Sequence, residues 1–76
     1  MKELIELIGK ALVDHPDSVE VKEIEGAKMV VYEVRVGTGD MGKIVGRGGR
    51  TVNAIRTIVA AASMKQGKRG ILEIVE

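Results

Sequence analysis

The segment Gly46-Arg47-Gly48-Gly49 constrains this chain more than any other, and it sits between Gly42-Lys43-Ile44-Val45 and Arg50-Thr51-Val52. Apolar residues and helix formers stand on both sides of it. Three glycines in four positions oppose a continuous helix, because each costs about 1 kcal/mol relative to alanine in a helix interior. The segment therefore reads as a G-x-x-G turn joining two helices. Glycine has no Cβ and reaches positive φ without strain, so another backbone can approach such a turn closely. The second helix is expected to begin at about Gly49. Its free N–H groups and the positive end of its dipole then face the turn. Lys43, Arg47 and Arg50 place a base before, within and after the glycines. Such a turn suits a phosphodiester backbone.

Charge along the chain agrees with that assignment. Residues 1–40 hold five Lys/Arg and nine Asp/Glu, whereas residues 41–76 hold seven and two. The only acids in the second half are Glu73 and Glu76, at its end. A net charge of +1 thus conceals a basic half on an acidic one. Sign asymmetry of this kind marks a face for a polyanion.

At 76 residues the chain is expected to form one domain spanning 1–76, with a modest buried fraction. It has no cysteine and one histidine, which argues against disulfides and metal clusters, and no cofactor is expected. No apolar run approaches the roughly 18 residues of a membrane span. Glu3 and Glu6 interrupt the apolar start, unlike a signal peptide, and a cytoplasmic location is expected.

Leu4, Ile5, Ile8, Ala11 and Leu12 recur at helical spacing and predict a helix over 2–14, stopped by Pro16. Val19 and Val21 alternate with Glu20 and Lys22 in a strand over 18–25, whose alternation slips at Ile24, predicting an end or bulge there. A turn at Gly26 leads to the best strand, 29–36, with Val30, Tyr32, Val34 and Val36 on one face. The two strands form a hairpin. After a loop over 37–40, Asp40 is placed to cap a short helix over 41–45. A longer helix follows over 50–66, with Val52, Ile55, Val59 and Ala62 as its buried stripe. A basic loop over 66–70 precedes a last strand over 70–76. The order is α-β-β-α-α-β. The long helical connection between the second and third strands suits a parallel pair. The expected class is α+β, a three-stranded mixed sheet with three helices on one face.

Other motifs fail on context. Gly37 to Gly42 matches G-x-G-x-x-G after a strand, and Gly37 to Lys43 nearly matches a phosphate-binding P-loop. Ile44 stands where that loop needs a Mg²⁺-ligating hydroxyl, and no acid follows about 20 residues on. His15-Pro16-Asp17 matches the tripeptide of J-domain co-chaperones, but strands follow it instead of a helical hairpin. Ser18 and Ser63 have no evident base, so no enzymatic activity is expected.

The element order and the segment Ile44-Val45-Gly46-Arg47-Gly48-Gly49-Arg50-Thr51-Val52 resemble a KH domain of type II. Over nearly every residue, the chain resembles the KhpA (YlqC-like) family of small bacterial single-KH proteins. Leu12 to Asp17, Asp40 to Gly46, Ala54 to Ile58 and Gly67 to Ile74 carry that likeness. The resemblance implies RNA binding without catalysis and an RNA-chaperone role. It also implies pairing with a KhpB (Jag/EloR)-type protein, homodimerisation, and a link to cell-envelope and cell-length control. The loop of a KH module holds about four nucleotides by their backbone.

The resulting expectation is concrete. Amides around Gly46, Arg47, Gly48 and Gly49 meet phosphates of a single-stranded RNA, and Lys43, Arg47 and Arg50 add charge. Ile44, Val45, Val52 and the strand holding Val34 and Val36 form a shallow groove for bases. Arg56 extends the track. Tyr32, the only aromatic residue, is assigned to the core, so stacking on rings contributes little. The competing expectation is a protein-interaction module that dimerises through the exposed side of 50–66 and leaves most RNA contacts to its partner.

Overall fold

Valine and tyrosine at every second position make Met29–Arg35 the middle strand of the sheet. In the computed structural model, which describes residues 1–76, the elements run α1 (Lys2–Leu12), β1 (Glu20–Glu25), β2 (Met29–Arg35), α2 (Met41–Val45), α3 (Arg50–Met64) and β3 (Arg69–Val75). Single 3-10 turns span Pro16–Ser18 and Arg47–Gly49. The sheet order is β1-β2-β3. β1 runs antiparallel to β2, with Val21 opposite Val34. β3 runs parallel to β2, with Leu72 opposite Tyr32. The helical crossover through α2 and α3 makes that parallel pairing sterically attainable. The fold is the expected mixed sheet with its helices on one face.

One face of the sheet carries the core. Val21, Val30, Tyr32, Val34, Val36 and Leu72 pack against Ile5 of α1, Ile44 of α2 and Val52, Ile55 and Val59 of α3. Burial of each such side chain contributes about 1.5–3 kcal/mol. α3 approaches β3 closely at Gly70, where a Cβ would lie 2.8 Å from both the Val59 carbonyl oxygen and the Ser63 Cβ. This contact selects Ser63, not the expected Ala62, as the last buried position of the helix. Ala62 is half-buried.

One further expectation is corrected. β1 shows no bulge at Ile24: pairing continues without a break to Glu25 opposite Val30. Ile24 faces outward, and Glu23 lies opposite Tyr32 on the inner side. Glu23 and Glu25 are exposed at that end of β1, so its inner positions accept charge and the alternation inverts. Along α1, Ile5 and Gly9 are buried, whereas Leu4, Leu7 and Leu12 are exposed. A helix at the margin of a three-stranded sheet has only a narrow stripe to bury. Burial of Tyr32 pushes its hydroxyl pKa above 10.0, and the Glu23 and Glu25 carboxylates add to the rise.

Candidate nucleic-acid interface

The five-residue helix α2 ends because Gly46 leaves helical space, with φ 76° and ψ 172°. Its amide still donates to the Gly42 carbonyl oxygen at 2.9 Å. That backbone region is open essentially to glycine alone. A Cβ at Gly46 would also lie 2.8 Å from the Thr51 Cβ and 3.0 Å from the Thr51 nitrogen. The turn is thus held tightly against the start of α3 from within. Gly48, at φ 63° and ψ 19°, is left-handed for a different reason. Nothing lies within 4 Å of its Cβ position, so this backbone faces open space. Gly49 closes the turn at φ 79° and precedes Arg50 as the N-cap of α3. No side chain caps α3, so its first N–H groups keep no side-chain acceptor.

Ile44 anchors α2 in the core at 2% exposure. The bases around the loop are exposed: Lys43 one turn before it, Arg47 within it and Arg50 after it. Arg47 and Arg50 form no ion pair, whereas Lys43 Nζ lies 3.6 Å from the Asp14 carboxylate.

Asp40 occupies the N-cap position of α2 but makes no capping bond. Its carboxylate is buried and turned the other way. It accepts the backbone N–H of His15 at 2.9 Å and that of Asp14 at 3.3 Å. Two amides freed where α1 ends outcompete the amides of its own short helix. The His15-Pro16-Asp17 turn is therefore a strut for α2.

The structure brings Lys43, Gly46, Arg47, Gly48, Gly49 and Arg50 together at one end of the molecule, with Val45 half-buried among them. It places Ile44, Val52, Val34 and Val36 in the core. These four cannot offer an open groove floor, because the sheet and helices already cover them. Arg56 is exposed on α3, but six residues beyond Arg50 it is rotated by about 120° around the helix axis. Sequence reasoning missed Asp14, whose contact spans 29 positions from Lys43 and has no local signature. The one surface depression lies elsewhere, along β1, lined by four Glu and three Lys or Arg. Its charges nearly balance, so it offers no basic field to phosphates.

No helix is long and apolar enough to cross a membrane. The family model for the KH domain of KhpA and KhpB matches residues 2–74. The RNA-binding protein KhpA of Caldanaerobacter subterraneus is 52% identical over 75 residues, covering 99% of this chain and all of that protein. The same-named protein of Aquifex aeolicus is 50% identical over 76 residues, covering all of this chain and 96% of its own. That of Clostridium acetobutylicum is 47% identical over 75 residues, covering 99% and 100%. No solved structure matches the chain. With the helix–turn–helix of Met41–Met64 set on its mixed sheet, and with likeness from end to end, this chain belongs to the KhpA/KhpB KH-domain family.

Proposed function

We propose that this chain binds single-stranded RNA, without catalysis, by clamping its backbone on the Gly46–Gly49 turn. The observation that carries this is the pairing of open backbone at Gly48 with two arginines, Arg47 and Arg50, that no acid neutralises. The amides of Gly46, Gly49 and Arg50 already donate to the Gly42, Gly46 and Arg47 carbonyl oxygens, so phosphates meet the other amides of the turn and of the first turn of α3, and the arginines supply charge. Phosphate contacts set position and affinity, while base edges set sequence choice. Val45 offers bases an apolar contact. The absence of ring stacking leaves one module weak, and pairing raises its avidity. The names of its relatives as RNA-binding proteins support the same reading. On this reading it acts in the cytoplasm as an RNA chaperone with a KhpB-type partner, in cell-envelope and cell-length control.

The test is fluorescence anisotropy of a short single-stranded RNA at two salt concentrations, with wild type and the Arg47→Asp, Gly48→Asp double variant. Aspartate is among the residues that best tolerate left-handed backbone, and the space at Gly48 is open, so the fold survives. Salt-sensitive binding that the variant loses is the expected result. Unchanged affinity in the variant overturns the reading.

One observation favours a second reading, dimerisation. Ala54, Ile58 and Ala61 lie exposed at helical spacing on α3, and Ile58 is 45% exposed. A partner helix laid on that stripe would bury it. Sedimentation of Ile58→Asp beside wild type decides: a monomer from a dimer supports it, and equal masses reject it.

A further inference from the structure

Asp14 is the only acid that touches a base of the loop cluster, and its position is built. The preceding residue, Val13, packs against the core and donates its amide to the Gly9 carbonyl oxygen at 3.3 Å. The Asp14 amide and that of His15 are fixed by the buried Asp40 carboxylate. Pro16 then fixes the exit of the chain. The side chain alone is free, 68% exposed, and it reaches Lys43 Nζ at 3.6 Å. A carboxylate is thus held where a phosphate seeking the Lys43 ammonium would arrive.

Resting on the RNA reading above, we propose that Asp14 sets the end of the phosphate track by competing with the RNA backbone for Lys43. Carboxylate and phosphodiester are both monoanions, and one ammonium cannot hold both at full strength. An incoming phosphate either displaces Asp14 or stops at Arg47. The acid also repels any phosphate beyond Lys43, on the α1 side. The track is therefore short, and binding is readily reversible.

The experiment measures anisotropy of a short single-stranded oligoribonucleotide from low to moderate salt, using the 76-residue wild type, Asp14→Asn, Asp17→Asn, Lys43→Gln and the Asp14→Asn, Lys43→Gln double variant. Asparagine keeps the backbone amide on Asp40 and removes only the charge. Asp14→Asn should bind about two- to fivefold tighter at low salt, the range set by one exposed ion pair. Its log–log salt slope should steepen by up to about 0.7, one additional single-strand phosphate contact. Asp17→Asn removes the same charge from the same turn without a contact to Lys43 and should show neither change. In a Lys43→Gln background the gain from Asp14→Asn should vanish. Salt-sensitive wild-type binding with Asp14→Asn indistinguishable from it overturns this proposal and leaves the RNA reading intact. A gain that persists without Lys43, or that Asp17→Asn matches, also overturns it, because general charge then suffices. Absence of salt-sensitive wild-type binding overturns both.

Discussion

The Asp40 carboxylate accepts the His15 backbone N–H at 2.9 Å across 25 residues of sequence. A buried side chain at the root of α2 thereby holds the end of α1. Removing it strands two amides and leaves a small void. Asp40→Ala should lose about 1 kcal/mol or more, the cost of leaving partly buried donors unsatisfied. Urea denaturation followed by circular dichroism measures this. A loss below about 0.5 kcal/mol, the usual scatter of surface substitutions, would mean that water replaces the carboxylate freely.

Gly46 and Gly48 both have positive φ, yet their substitutions should differ. Gly48→Ala meets open space and bears only the left-handed penalty, about 1–2 kcal/mol. Gly46→Ala bears a steeper backbone penalty, about 1–3 kcal/mol, and drives its Cβ against Thr51. It should be the less stable of the two by urea midpoint. Equal midpoints would show that the start of α3 yields to the added methyl.

Salt dependence ranks the bases. Arg47→Ala and Arg50→Ala should each flatten the salt slope of RNA binding by about 0.7. Arg56→Ala should flatten it less, because that side chain points about 120° away around the helix. Anisotropy titrations of the three variants at matched salt check the order. An Arg56 effect equal to that of Arg50 would place RNA along the side of α3.

Alkaline stability reports on Tyr32. Its pKa is raised in the folded state, first by burial and then by Glu23 and Glu25. The folded protein therefore holds the phenolic proton where the unfolded chain releases it. This contribution is complete below pH 10.0, the unfolded value, and declines as pH rises towards the folded pKa. Thermal melts should fall more steeply above about pH 10 in wild type than in Tyr32→Phe. Parallel curves would show that the phenol ionises alike in both states.

Much of the architecture was legible because local periodicity encodes it. Val30, Tyr32 and Val34 alternate and lie buried, and Val52, Ile55 and Val59 keep helical spacing and lie buried. The helix–turn–helix around Gly46–Gly49 follows from glycine's steric freedom, a property of single residues. Ile24 misled because alternation marks the inner face only where a layer covers it. Ile44 and Val52 misled as groove residues because apolar side chains beside a loop serve either a ligand or the core, and spacing does not distinguish the two.

By itself, the sequence determined the element order, the glycine turn and the basic field around it, all properties of neighbouring residues. Tertiary structure decided which side chains stay available. It drew Asp40 away from its own helix to Asp14 and His15, fitted Ser63 against Gly70 and set Asp14 beside Lys43. The Asp40 and Lys43 contacts close long loops, Ser63 and Gly70 meet across a helix-to-strand reversal, and the energy of all of them depends on packing elsewhere in the chain. Local pattern carries no record of such contacts, because the residues meet only once the sheet and helices have formed.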